Sequence, residues 1–331
     1  MAKPETTRLS QLSAADLDRI HANLVRKYRD FDKGNIVGIA FGAKRTDGEI
    51  GAEPRLSVRF FVKYKRTPRD PERRIDDPIT VRLRKGKPPR YVTYVFPTDV
   101  EEIGAIMATG VRTTGRRDIG TSGAVIKVRE QAGNSATSFG WYVLTVGHLF
   151  DHDDDPNRAH VASRAPGGGT IAGKVVEFTR REDELDAAIV LVNHADAQQA
   201  NLLKSALDIP VLTRGEGEIK DDARFDRSAS IRRREDQGGK ATFTLTDYAP
   251  TFTIGRLGPL KSIVIGNAGG RGIFAPGTSG AIWEVGGQIA AIQVGAEVKT
   301  HAVGYGQCYF AVDKWIRGHF SKKTLAVVSA F

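Results

Sequence analysis

The chain has 331 residues, a formal net charge of +10 and a single cysteine, Cys308. Hydrophobic residues make up 40% and charged residues 27% of the sequence, which is ordinary for a globular protein and excludes global disorder. One cysteine excludes an intramolecular disulfide, and the sequence has neither a signal-peptide core nor an apolar run of 18 residues. We therefore expect a cytoplasmic protein without a membrane partner.

The positive charge is concentrated in the N-terminal third of the chain. Residues 1–100 carry a net charge of +9, whereas the remainder carries +1. Such a basic region suggests a site for nucleic acid or for a regulatory protein partner, and a solvated basic face is the simpler alternative.

The first predicted element is an amphipathic helix. Ser13 and Asp16 form an S-x-x-D variant of the capping box, which marks a helix start. The apolar residues that follow fall on one helical face, and they are Leu17, Ile20, Leu24, Val25 and Tyr28. This face predicts packing against a sheet, and a helix that binds a partner is the alternative.

Strands follow this helix. Residues 36–41 and 56–62 are predicted to pair as a hairpin, because the turn formers Asp47 and Gly48 lie between them. Further strands are predicted at residues 79–83 and 91–96. Residues 1–103 are therefore interpreted as a small basic α+β domain with a regulatory or docking role.

From residue 104 to residue 331 the pattern changes to short apolar runs separated by glycine-rich turns. The runs that predict strands are 125–128, 141–145, 173–178, 187–192, 263–265, 281–285 and 289–294. Many short strands of this kind indicate a sandwich or barrel. A last helix is predicted at residues 312–320, and the polar residues 214–240 are predicted to form a long surface loop.

Three segments of this second region carry reactive side chains. His148 ends the apolar run WYVLTVGH, Asp186 stands just before the apolar run AAIVLV, and Ser279 lies in the glycine turn PGTSG. A serine hydroxyl becomes a useful nucleophile when an imidazole takes its proton, and the imidazole needs a carboxylate to fix its tautomer. The three residue types required for acyl transfer are thus present in the order His, Asp, Ser.

The region from about residue 104 to residue 320 resembles the chymotrypsin/trypsin-like serine peptidases. In that family the histidine ends a TAAHC-like strand, the aspartate opens a DIALL-like strand, and the serine lies in GDSGG. The corresponding segments here are TVGH, DAAIV and GTSGA. The stretch CYFAVDKWI also resembles the family's final strand and C-terminal helix.

The resemblance implies a mainly β fold of two six-stranded antiparallel β-barrels with a C-terminal helix, preceded by the small α+β domain. His148 would act as general base and then acid, Asp186 as its orienting carboxylate, and Ser279 as the nucleophile. The backbone N–H groups of Gly277 and Ser279 would form the oxyanion hole. No cofactor and no metal are implied.

The resemblance also implies a substrate pocket for the side chain that precedes the cleaved bond. The residues that would line it are Ile273, Phe274, Gln293, Val294 and Gly295. No acidic residue matches the base of this pocket, so a small or apolar side chain is the expected substrate preference.

One departure from the family concerns activation. Members that are activated by cleavage carry an aspartate before the serine, which pairs with a newly freed N-terminus. Thr278 stands at that position and cannot form the ion pair. We therefore expect control by the N-terminal domain or by a partner protein instead of this maturation route.

Other residues compete with the triad assignment. Ser122 lies in GTSGA, which repeats the turn around Ser279, and is a rival nucleophile. Asp183 and Glu184 are rivals of Asp186 as orienting carboxylates. An aspartate-rich run at residues 151–155 invites a calcium interpretation, but Pro156 occupies the position where a calcium loop needs glycine.

The leading hypothesis is an intracellular serine endopeptidase that hydrolyses protein or peptide substrates. A non-catalytic scaffold with a protease-like fold and a nucleic-acid-binding protein are the alternatives. Bacterial proteins with a comparable N-terminal unit and a trypsin-like domain also resemble this chain. Some of these peptidases belong to defence systems, so the resemblance implies a role in a bacterial defence system as one expectation.

Overall fold

The computed structural model describes residues 12–28, 35–46, 49–50, 56–65, 75–103, 106–108, 111–112, 118–132, 136–150, 158–162, 170–179, 181–193, 195, 212–224, 226–232, 239–320 and 324–330. Within these ranges the chain is mainly β. These ranges contain the α-helices α1 (Ala14–Tyr28), α2 (Glu216–Arg224) and α3 (Tyr309–His319). None of the helices in the described ranges combines the length and the apolarity needed to cross a bilayer.

The strands are numbered in chain order. Those before residue 120 are β1 (Ile36–Ala43), β2 (Arg45–Thr46), β3 (Glu49–Ile50), β4 (Leu56–Val62), β5 (Ile79–Lys85), β6 (Arg90–Phe96), β7 (Thr98–Glu102), β8 (Ile106–Ala108), β9 (Val111–Arg112) and β10 (Asp118–Ile119). Those after it are β11 (Ala124–Ala132), β12 (Ala136–Thr145), β13 (Arg158–Ala162), β14 (Thr170–Phe178), β15 (Ala188–Val192), β16 (Ser228–Arg232), β17 (Lys240–Ile254), β18 (Gly258–Asn267), β19 (Ile282–Val285), β20 (Gln288–Glu297), β21 (Val303–Cys308) and β22 (Thr324–Ala330).

Two large sheets form the body of the molecule. The first has six strands in the order β13-β14-β15-β12-β11-β22, and its neighbours are antiparallel. The second has ten strands, in the order β16-β19-β20-β21-β18-β17-β1-β4-β7, with β8 beside β20. The pairs β2–β3, β5–β6 and β9–β10 form smaller sheets.

The mainly β class and the C-terminal helix predicted from the sequence are confirmed, and the sheets are consistent with chymotrypsin-like barrels. The second sheet is larger than the six strands predicted, because β1 pairs with β17 and brings β4 and β7 with it. Gly38 permits this approach, since a Cβ there would lie 2.2 Å from the ring of Phe252. The division of the chain at residue 103 stays a prediction.

The N-terminal elements follow their sequence signals. The N–H of Asp16 donates to Ser13 Oγ (3.2 Å) and the N–H of Ser13 donates to Asp16 Oδ2 (3.3 Å), which completes the predicted capping box. The predicted hairpin is also confirmed, since β1 and β4 are antiparallel neighbours. Helix α1 packs against β1, β4, β5 and β6 in a hydrophobic cluster of its own, to which it contributes Leu17, Ile20, Leu24 and Tyr28. Val25, predicted on the same face, is 40% exposed.

The two large sheets share a hydrophobic core. It contains Ile126 and Leu144 from the first sheet together with Ile263 and Ile292 from the second. Apolar surface buried between sheets stabilises by roughly 25 cal/mol per Å² removed from water, and this term helps to hold the two sheets together. A further cluster lies between the second sheet and α2.

The prediction of a surface loop over residues 214–240 is wrong for the described part of that range. The chain there forms α2 and β16. Ile219, Ala223 and Ile231 are buried and supply apolar contacts. The surrounding residues are so polar that the sequence does not reveal these contacts. Tertiary packing overrides the weak local signal in this segment.

A buried ion pair connects the N-terminal strands to the rest of the second sheet. Nη1 of Arg59 on β4 lies 2.6 Å from Oδ2 of Asp247 on β17, and their side chains are 4% and 1% exposed. Burial opposes the charge of Arg59, but the charges of Asp247 and Glu101 outweigh it and raise the pKa of the guanidinium. Arg59 also donates to the carbonyl of Ala43 (3.2 Å).

We expect Arg59→Ala to lower the free energy of unfolding by about 3–5 kcal/mol, because it leaves the Asp247 charge buried without its cation. The double variant Arg59→Met/Asp247→Leu should regain most of this loss, since it removes both charges. Urea denaturation followed by circular dichroism measures both values.

The exposed pair Arg317–Asp313 provides the matched control for this experiment. Arg317→Ala should cost less than about 1 kcal/mol, because solvent screens the pair. A similar loss for Arg59→Ala and Arg317→Ala would contradict the structural role given to the buried pair.

Candidate active site

His148 lies just beyond the end of strand β12. The strand ends at Thr145, and a short 3₁₀ helix, Gly147–Leu149, then turns the chain. A Cβ at Gly147 would lie 3.0 Å from the carbonyl oxygen of Ala187, so this turn fits closely against the loop that carries Asp186. His148 is 2% exposed.

Asp186 binds His148 at two points. Nδ1 of the imidazole lies 2.6 Å from Oδ2 of Asp186, and the backbone N–H of His148 donates to Oδ1 (2.8 Å). An ionised carboxylate only accepts hydrogen bonds, so Nδ1 carries the proton and Nε2 of a neutral ring is an acceptor. The pair therefore fixes both the orientation and the tautomer of the ring.

Nε2 of His148 is buried and, among the described residues, has no hydrogen-bond partner. An unsatisfied buried acceptor costs about 1–3 kcal/mol, and a catalytic role is one explanation for such an atom. The ring is thus held by one nitrogen. The other forms no hydrogen bond with any described residue, and therefore none with the hydroxyl of Ser279.

Gln307, which was not predicted from the sequence as a site residue, positions Asp186. Its Oε1 accepts a hydrogen bond from the backbone N–H of Asp186 (2.7 Å), and its Nε2 donates to the carbonyl of Lys261 (3.1 Å). Gln307 is fully buried on β21, where it is a polar residue among small and apolar neighbours. That contrast is the sequence signal that identifies it.

Ser279 lies in a tight turn before β19. The N–H of Thr278 donates to the carbonyl of Ala275 (3.2 Å), and the N–H of Ala281 donates to the carbonyl of Thr278 (2.9 Å). Gly277 and Gly280 have φ angles of 92° and 90°, which side-chain-bearing residues rarely adopt. The two glycines therefore allow the turn that holds Ser279.

The serine turn is bound on one side to β20. The N–H of Gly280 donates to the carbonyl of Gln293 (2.9 Å), and the N–H of Gln293 donates to the carbonyl of Ala281 (2.8 Å). The nucleophile candidate and the predicted pocket residue Gln293 are consequently fixed to each other through the backbone.

On its other side the serine turn contacts the segment that leads into β11. The N–H of Thr121 donates to the carbonyl of Ser279 (2.5 Å), and Thr121 Oγ1 donates to the carbonyl of Gly277 (2.8 Å). Thr145, three residues before His148, donates its hydroxyl to the carbonyl of Thr121 (3.0 Å). This chain of contacts brings the His148 loop and the Ser279 turn to one place.

The predicted pocket residues lie in different surroundings. Gln293 and Val294 are fully buried on β20, and Nε2 of Gln293 donates to the carbonyl of Gly295 (2.5 Å). Ile273 is 6% exposed. The ring of Phe274 is fully buried against Phe243 and Trp283 in the core between β17 and β19, so the structure gives it a packing role. The pocket assignment itself stays a prediction.

The structure also shows where the rival residues lie. Ser122 is half-buried in the segment that contacts the serine turn, and the repeated GTSG sequence reflects the close approach of these two turns. Glu184 forms an ion pair with Lys261, and Asp186 is the carboxylate that contacts His148. The aspartates at residues 151–155 lie outside the described residues. In the described ranges, no group of three metal-ligating side chains is present.

Comparisons with known proteins give weak similarities only. No family model matches the chain, and no curated protein matches it. Solved structures that it resembles are bacterial proteases of the trypsin and chymotrypsin type. Protease A of Thermobifida fusca has 15% identity and a TM-score of 0.37, and the match covers 69% of this chain and 100% of that one.

Two further solved structures show the same level of similarity. The Nocardiopsis protease has 13% identity and a TM-score of 0.36, with 68% of this chain and 98% of that chain covered. The MamO protease domain of Magnetospirillum magneticum has 16% identity and a TM-score of 0.35, with coverage of 59% and 96%. Similarity at this level does not identify the chemistry of the chain, which is inferred below from the geometry of its own residues.

Replacement of Gly280 tests the fit of the serine turn. A Cβ at Gly280 would lie 2.1 Å from the carbonyl oxygen of Thr121, whereas a Cβ at Gly270, with a similar φ of 84°, meets nothing within 4 Å. We expect Gly270→Ala to lower the free energy of unfolding by about 1–2 kcal/mol through backbone strain alone. Gly280→Ala should cost about 1–3 kcal/mol more, because Thr121 must also move. Equal losses in urea denaturation would contradict the close contact.

Proposed function

We propose that the chain is a serine endopeptidase in which His148, Asp186 and Ser279 form the catalytic triad. The observation that carries this proposal is the state of the His148 ring. Asp186 binds Nδ1, and the buried Nε2 has no partner in the described part of the chain. A ring held in this way is prepared to accept a proton from a hydroxyl and to return it.

The reaction follows from these roles. Ser279 Oγ attacks the carbonyl carbon of the substrate while His148 Nε2 takes the hydroxyl proton, and Asp186 stabilises the imidazolium that forms. The imidazolium then gives this proton to the leaving amine as the peptide bond breaks. Water attacks the acyl-enzyme, again with His148 as base, and releases the acid and Ser279.

The same proposal assigns the oxyanion hole to the backbone N–H groups of Gly277 and Ser279. The positive φ of Gly277 supports this assignment, because it turns the backbone in a way that other residues resist. Ser279 is preferred to Ser122 because its turn is bound to β20, which carries the predicted pocket residues Gln293, Val294 and Gly295.

The substrate is proposed to be a protein or peptide with a small or apolar side chain before the cleaved bond. Residues 1–103 are proposed to dock a regulatory protein, and the pairing of β1 with β17 supports this by placing the two regions in one sheet. Binding of nucleic acid, a cytoplasmic location and a role in a defence system stay predictions.

A fluorophosphonate probe should label the wild-type protein on Ser279, because only an activated serine hydroxyl attacks such reagents quickly. Ser279→Ala should abolish the labelling, and the matched variant Ser122→Ala should retain it. Mass spectrometry of the labelled peptide identifies the site. Loss of labelling in Ser122→Ala alone would make Ser122 the nucleophile, and no labelling in any folded preparation would count against peptidase activity.

We also predict that the active protein keeps its chain intact. The hydroxyl of Thr278 donates to the carbonyl of Ala275 (2.8 Å) and is fully buried, so this position has no carboxylate for a freed N-terminus. Intact-mass measurement of probe-labelled protein should give the mass of the uncleaved chain plus the probe. A new N-terminus between residues 104 and 120 would contradict this prediction.

A further inference from the structure

The three residues of β8 lie against the strand that the serine turn contacts. Ala108 pairs with Gly295, Met107 with Ala296 and Ile106 with Glu297, and the two strands are antiparallel. On its opposite edge β20 pairs with β21 at Gly295 and Ala296, so β8 occupies the edge along which β19 also lies.

Three partners follow one another along this edge of β20. Strand β19 ends its pairing at Ile292, the serine turn bonds to Gln293, and β8 begins at Gly295. Because β8 is antiparallel to β20, Ala108 is the end of β8 that lies nearer to the serine turn. The chain direction of β8 therefore leads toward Ser279.

An edge of this kind is suited to an extended peptide. A peptide that adds a strand to a sheet is held by main-chain hydrogen bonds, whatever its sequence. Any segment in extended form can use the same donors and acceptors, so an internal segment and a substrate compete for one edge.

We propose that Ile106–Ala108 is an internal competitor, which occupies the edge of β20 at Gly295–Glu297 where an extended segment of the substrate would bind. The inference rests on the proposed peptidase function and names the regulation of the same site. Strand β8 must leave β20 before a substrate strand can bind, and it does so without cleavage of the chain.

The position of β8 links this competition to the N-terminal region. Residues 103–105 connect β7 to β8, and the N–H of Ile103 donates to the carbonyl of Val62 on β4 (3.0 Å). Ile106 is 8% exposed and belongs to the core shared by the two sheets, which holds β8 in place. A partner protein that displaces β7 would therefore also displace β8, which follows β7 closely in the sequence.

Proline substitution in β8 tests the proposal in the full-length protein. The N–H groups of a strand point alternately to its two sides, so Met107→Pro/Ala108→Pro removes whichever donor faces β20. Met107→Ala/Ala108→Ser is the matched control, because both substitutions retain the N–H. An internal competitor has an effective concentration in the millimolar range.

With a fluorogenic protein substrate, the proline variant should show a KM lowered about tenfold or more and an unchanged kcat, since competition is removed. The control should match the wild type. An unchanged or raised KM in the proline variant would overturn the proposal. The urea midpoint of each variant shows whether it folds. If the double variant does not fold, the single variants Met107→Pro and Ala108→Pro replace it, because one of the two removes the donor that faces β20.

A binding measurement separates this proposal from the proposed function. In the Ser279→Ala background, a fluorescein-labelled peptide with the sequence of residues 103–112 should bind about tenfold more tightly when the prolines are present. Equal anisotropy titrations with and without the prolines would overturn the occupation of the edge by β8. Tighter binding together with absence of hydrolysis in every variant would overturn the peptidase function and leave the edge assignment standing.

Discussion

The two large sheets meet at a contact between backbones, and the geometry of the site depends on it. The N–H of Thr121 binds the carbonyl of Ser279, and a Cβ at Gly123 or Gly280 would overlap the opposite carbonyl, at 2.3 and 2.1 Å. Because backbone atoms make these contacts, no side chain can change its rotamer to compensate for a shift of either turn. The distance between the sheet that carries His148 and the turn that carries Ser279 is therefore fixed by the chain path itself.

Burial then decides how the polar groups of the site are held. A buried carboxylate is costly unless its oxygens accept hydrogen bonds, and Asp186 receives two from His148. Its own N–H is taken by Gln307, which also binds Lys261 and so fastens the aspartate loop to β18. Nε2 of His148 differs from these groups, because it has no partner among the residues that the structure describes, and the low dielectric around it strengthens any hydrogen bond it makes.

Local patterns predicted much of this structure, and long-range pairings account for what they missed. Strand β4, the capping box and the placement of His148, Asp186 and Ser279 on three separate segments are readable from periodicity and turn residues. The addition of β1 to β17 and of β8 to β20 is not, because strand pairing joins residues far apart in sequence and leaves no local signal. Gln307 was missed for a related reason, since its partners lie 121 and 46 residues away.

Strand β22 affects how the protein can be made. It pairs with β11 and so completes the six-stranded sheet with residues 324–330, although β11 itself begins at Ala124. A ribosome adds about 5–20 residues per second, so β11 emerges some tens of seconds before this neighbour does. Throughout that interval the sheet that carries His148 lacks one of its strands. A nascent chain thus acquires the complete first sheet only after residues 324–330 have been made, and a chain that lacks these residues would leave an edge of β11 open to other chains.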